Sequence, residues 1–216
     1  MQPRLQPVQP ENRGLAGKTR VYIETGAKKT FASAADWPGW ARPGKDEAGA
    51  LANLAAYAPR YAPVARLAKV DFPKDVSSFT VVERQKGDAS TDYGVPHKPA
   101  EDEGRRMTPK EVERMVALMA ACWEYFDRVA SKAPKTLRKG PRGGGRDTDA
   151  IVEHVLGAEL EYGKAIGLRL KQPDRKALLE SFSKPNRTER WPVRYAVRRT
   201  AWHALDHAWE IEDRAV

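Results

Sequence analysis

The sequence predicts an α+β N-terminal module of order β-β-α-β, followed by an all-α four-helix bundle. Three observations predict it. In VYIETG (21–26), Val21, Ile23 and Thr25 alternate with Tyr22 and Glu24, the period of two expected of a strand. From residue 108 onward, apolar residues recur at helical spacing instead. Between these regimes, residues 87–107 show no periodicity and are rich in turn-forming residues, as a linker would be. The expected division is a loose, Pro- and Gln-rich tail at 1–17, the α+β module at 18–86, the linker at 87–107 and the bundle at 108–216.

Each element has a local reason. Gly26 supplies the turn after the first strand, and KKTFASAADWPGW continues as the second. From Asp46 to Ala68, Leu51, Leu54, Tyr61, Val64 and Leu67 mark a helix, which Pro59 and Pro63 must kink or split. SSFTVVERQ (77–85) reads as the third strand. In the second half, Thr108 and Glu111 form a capping box, with Pro109 at the first helical position. Val112, Met115, Met119, Trp123 and Phe126 follow on one face, with Cys122 among them as a small core residue. A second helix starts at Asp147 or Asp149 and runs through DAIVEHVLGAELEYGKAIGLRL. DRKALLESFSK forms a third, and Pro192 opens a last helix that runs nearly to the end.

Composition excludes several classes. No apolar run approaches the ~20 residues of a membrane span, and MQPRLQPVQPENRG lacks the apolar core of a signal peptide. The single cysteine excludes an internal disulfide framework, so a reducing cytoplasm is expected. The net charge of +9 favours an anionic partner.

The chain has 4 histidines, and three of them fall on bundle helices. His203 and His207 stand four apart in RRTAWHALDHAWEIEDR, so they share one helical face a turn apart. His154, in IVEHV, lies on the second bundle helix. Facing helices of a bundle can converge such side chains on one ion. Three neutral imidazoles with an open position make a catalytic-type site for a divalent metal, zinc or nickel. The pattern is not a zincin, because Ala204 stands where that motif carries its glutamate. Asp206 neighbours His207 and faces off the metal side. Glu210 lies on the His207 face, where it either orients the imidazole or pairs with Arg214 at i+4. No side chain stands out as a general base. His97, between two prolines of the linker, is assigned no role and is expected to be exposed.

VEHVLGAELEY and RRTAWHALDHAWEIEDR together resemble the DinB-like, or YfiT-like, metal-binding superfamily over about residues 108–216. The resemblance implies a four-helix bundle holding one metal through a histidine on the second helix and an HxxxH pair on the last. Those positions match His154, His203 and His207. It also implies transferase or isomerase chemistry with a low-molecular-weight thiol. The first half is similar to the HicB-like module, through Asp36, Pro38 and Gly39 at a strand end and Ala48, Leu51 and Ala55 on the following helix. That likeness implies an interaction or dimerisation role, and with it a homodimer.

KAPKTLRKGPRGGGRD (132–147) is basic, with no acid before Asp147, and runs into the helix that carries His154. Without G-K-[ST] it is not a P-loop. Arg142, Gly144 and Arg146 are the candidates for holding a small anion there; a solvated loop is the alternative. Nucleic acid is disfavoured because no aromatic residue interleaves the charges. Arg190, Arg194 and Arg198 form a second basic stripe, read as an exposed helical face. Two functions therefore stand side by side: a metal-dependent enzyme using a thiol, or an interaction module fused to a metal-binding bundle.

Overall fold

The computed structural model describes residues 18–73, 75–76, 78–140, 144–184 and 190–215. The expected tail at 1–17 and Arg142 lie outside the described residues. The first half forms a four-stranded sheet of order β3-β2-β1-β4, built from β1 (Thr19–Thr25), β2 (Thr30–Ala34), β3 (Ala41–Gly44) and β4 (Phe79–Lys86). β1 pairs antiparallel with β2 and parallel with β4. The parallel pair needs a crossover, which α1 (Glu47–Ala56) and α2 (Ala58–Leu67) supply.

The β-β-α-β expectation is thus corrected to β-β-β-α-α-β. The second strand ends at Ala34, and DWPG turns the chain into β3, with the Ala34 N–H donating to the Trp40 carbonyl at 2.9 Å. β3 holds only four residues and includes Pro43, which an edge strand tolerates. The expected helix splits at Tyr57, just before Pro59, while Pro63 stays inside α2. Asp46 caps α1 by accepting from the Gly49 N–H at 2.8 Å.

The second half is mostly helical: α4 (Pro109–Lys132), α5 (Thr148–Ala165), α6 (Arg175–Phe182) and α7 (Val193–Arg214). The capping box forms as read, with Glu111 accepting from the Thr108 N–H at 2.8 Å and Thr108 Oγ1 from the Glu111 N–H at 3.3 Å. α5 ends at Ala165, five residues before the expected segment does. α7 packs against both α4 and α5, α6 against α4, and α2 against α4.

The two halves share one hydrophobic core. It contains Trp37, Trp40, Leu54 and Tyr61 together with Met119, Phe126, Ile151 and Leu205. The Pro38 carbonyl sits at the seam, accepting from Tyr61 Oη at 2.9 Å and Cys122 Sγ at 3.6 Å. Gly39 has φ +91, and a Cβ there would stand 2.7 Å from Leu205 Cδ1. Only glycine lets the DWPG turn reach α7 this closely.

Residues 87–107 are not an exposed connector. They contain α3 (Ala89–Tyr93) and a 3-10 turn (Glu101–Gly104). Buried Glu24 on β1 accepts from Thr91 Oγ1 at 2.6 Å, from the Lys98 N–H at 3.0 Å and from the His97 N–H at 3.3 Å. From the other side, buried Arg198 donates to Glu103 at 2.6 and 2.9 Å and to the Lys98 carbonyl at 2.8 Å. The segment is a strap between the sheet and α7. His97, expected to be exposed, is partly buried; it bonds Asp88 through Nε2 at 2.8 Å, and its carbonyl accepts from Tyr195 Oη at 2.6 Å. The basic stripe is corrected too: Arg194 pairs with Glu111 at 3.1 Å and Arg198 is buried, while Arg190 precedes α7. No helix among the described residues is long and apolar enough to cross a membrane.

Candidate metal centre

α5 and α7 bring His154, His203 and His207 together. One ring nitrogen from each lies within 4.8 Å of the others. The ring centroids are 4.7–5.0 Å apart. His154 Nε2 and His203 Nε2 are 3.2 Å apart. Two nitrogens on one tetrahedral zinc, each ~2.0–2.1 Å from the ion, would be separated by roughly 3.3 Å. The His154–His203 pair has the spacing of two ligands on one ion, and the three histidines could hold a metal ion.

The surroundings favour the neutral form of two of the three imidazoles. His203 is buried, and loss of water, reinforced by the neighbouring His207 and Arg199, pushes its pKa down to about 2. Burial, His207 and Arg146 lower His154 as well. A metal ligand must be a neutral imidazole, and this environment selects that state. His203 is also not a satisfied core histidine. Its Nδ1 is buried without a hydrogen-bond partner among the described residues, and Nε2 meets only another imidazole.

Glu210 orients His207. Its Oε2 accepts from His207 Nδ1 at 2.8 Å, which places the proton on Nδ1 and leaves the Nε2 lone pair free. Its other oxygen accepts from Arg214 Nη1 at 2.6 Å. The two sequence readings of Glu210 are both realised. The bond from His207, with Arg214 beside it, holds the Glu210 carboxyl below its ordinary pKa despite partial burial. Asp206 points the other way, to Arg42 at 2.8 Å.

The basic loop is fastened to this relay. The Arg138 N–H donates to the Arg214 carbonyl at 3.0 Å, and Arg214 Nε returns a bond to the Arg138 carbonyl at 2.8 Å. Gly145 adopts φ +119, and a Cβ there would stand 2.7 Å from Arg214 Nη2. Of the anion candidates, Gly144 is exposed and its carbonyl accepts from the Gly140 N–H at 2.7 Å. Arg146 is exposed, yet its charge acts on both His154 and His203. Arg142 lies outside the described residues.

Sequence reasoning missed Arg199 and Tyr162. Arg199 stands four residues before His203 on α7, so Arg199, His203 and His207 occupy successive turns of one face. Its guanidinium lies 5.4 Å from the Tyr162 ring and 4.6 Å from the Trp202 ring. Tyr162 in turn meets the His203 ring edge-on at 5.9 Å. The i−4 spacing from His203 was the signal available for Arg199, hidden among 38 lysines and arginines. Compared with protein-family models, with curated proteins and with solved structures, the chain matches none.

Proposed function

We propose that this is a metal-dependent protein of DinB-like type, whose four C-terminal helices act as a bundle that holds one divalent ion, zinc or nickel, through His154, His203 and His207. The convergence of three imidazole nitrogens within 4.8 Å carries the reading. A divalent ion so held supplies Lewis acidity to whatever ligand reaches its open position. The ligand class we propose is a low-molecular-weight thiol, in a transfer or isomerisation reaction; the likeness of the helices bearing His154 and the HxxxH pair supports this. Burial keeps His203 neutral, and Glu210 holds the proton on Nδ1 of His207. Tyr162 and Trp202 shelter His203 on two sides, which limits the water that competes with a ligand.

Metal analysis by mass spectrometry tests the reading. One divalent ion per chain is expected in the purified protein, and extensive loss in the His203→Ala/His207→Ala double variant. His97→Ala should retain it. Full metal content in the double variant would overturn the proposal.

A further inference from the structure

A cleft of about 530 Å³ opens beside the triad, within the usual range for small-molecule sites. It lies between the strap on one side and the residues around α5 and α7 on the other. Its walls include Tyr93, Tyr162, Trp191 and Tyr195, and among the described residues its arginines are Arg190 and Arg199. Among the described residues, none that lines it is acidic.

Arg199 is the unusual member. The other arginines of α7 with strong partners each have a carboxylate: Arg194 has Glu111, Arg198 has Glu103 and Arg214 has Glu210. Among the described residues no carboxylate pairs with Arg199, and its buried Nη1 has no hydrogen-bond partner. The half-buried guanidinium lies over two aromatic rings and lines the cleft, but among the described residues no negative charge offsets it, and an incoming anion would. Trp191 stacks obliquely on Tyr162, with ring centroids 5.5 Å apart, and meets Tyr195 edge-on at 4.9 Å. The flat apolar faces suit a planar body. Tyr162 touches both Trp191 and His203, so it is a wall common to the cleft and the triad.

We propose that this cleft binds a small aromatic carboxylate, its carboxylate on Arg199 with Arg190 nearby and its ring against Trp191, one helical turn from the histidine triad. Binding needs only the cleft. The further idea that this molecule is the substrate rests on the metal reading above.

The probe is 2-naphthoate, titrated by calorimetry against the whole chain, with 2-naphthamide as the uncharged isostere. Naphthoate should bind more tightly than the amide. Arg199→Gln should weaken naphthoate about tenfold or more, the loss of one charge-assisted contact, and leave the amide nearly unchanged. Arg199→Lys should recover part of the loss. Trp191→Leu should weaken both ligands, and keeps the test open should Arg199→Gln fold poorly. The His203→Ala/His207→Ala variant should bind naphthoate within a few-fold of the parent. That arm separates the two readings: loss of metal there with naphthoate retained supports the cleft whatever the metal's role. Equal affinity for naphthoate and amide, no binding of naphthoate, or an Arg199→Gln variant that binds as the parent does would each overturn the proposal.

Discussion

Glu210 shows how much one side chain can decide. A carboxylate three residues after a histidine on a helix is common, and a surface ion pair with Arg214 would contribute little. Here the same carboxylate bonds His207 Nδ1 at 2.8 Å, so it fixes both the ring's orientation and its tautomer. Partners of this kind typically contribute 10–100-fold to metal affinity. Glu210→Gln should therefore weaken metal binding by about that factor in a competition with a chromophoric chelator, with the fold unchanged by circular dichroism. Arg214→Met should have a smaller effect, because it leaves the His207 contact in place. Equal affinity in Glu210→Gln and parent would show that Glu210 serves the ion pair alone. Arg199 teaches the complementary lesson. A basic residue without an acid is conspicuous only after its neighbours on α7 are seen to have theirs.

At the scale of elements, the strap matters most. Arg198 and Glu103 are both buried, and their bidentate pair joins α7 to the 3-10 turn. Removing one partner of a buried pair leaves a desolvated charge behind, at a cost of about 3–5 kcal/mol. Glu103→Gln or Arg198→Met should lower the denaturation midpoint accordingly, whereas replacing both together with apolar residues should cost less. A double variant as unstable as the sum of the singles would exclude this coupling. The strap was illegible in the sequence for a physical reason. Its contacts join Glu24 to Thr91 and Glu103 to Arg198, far apart in the chain, so composition showed only turn residues and charges. β3 was missed because four residues including a proline carry no alternation. Helix α4, by contrast, was readable in full, since its capping box and apolar stripe are local features. The His203–His207 pair was legible for the same reason. That His154 meets it depends on α5 lying against α7, which the sequence could only suggest.

The whole molecule is organised around a large core that both halves share, with a small second cluster of Phe31, Ala41 and Trp202 between the sheet and α7. Trp37, in the turn between β2 and β3, is fully buried, edge-on to Tyr61 at 6.0 Å and to Phe72 at 5.0 Å, and Arg114 of α4 lies 4.4 Å from its ring centroid. Arg114 also donates to the Asp36 carbonyl in the same turn. Gly39, two residues on, lets that turn press against Ala201 and Leu205 of α7, one on either side of His203 in sequence. A defect in the DWPG turn is therefore felt in the helix that carries two of the three histidines. Trp37→Ala should cost about 3–5 kcal/mol, the usual range for emptying a buried aromatic site. If the halves fold as one cooperative unit, the loss should lower the thermal midpoint read by far-ultraviolet dichroism, which reports mainly the helices, as much as that read by the methyl NMR signals of Val21 and Ile23 on β1. The parent chain should likewise unfold in one transition by both probes. A helical transition that stays at the parent midpoint while the Val21 and Ile23 signals are lost at lower temperature would mean that the sheet and the helical half unfold separately, and that the seam at Pro38 and Gly39 couples them only weakly.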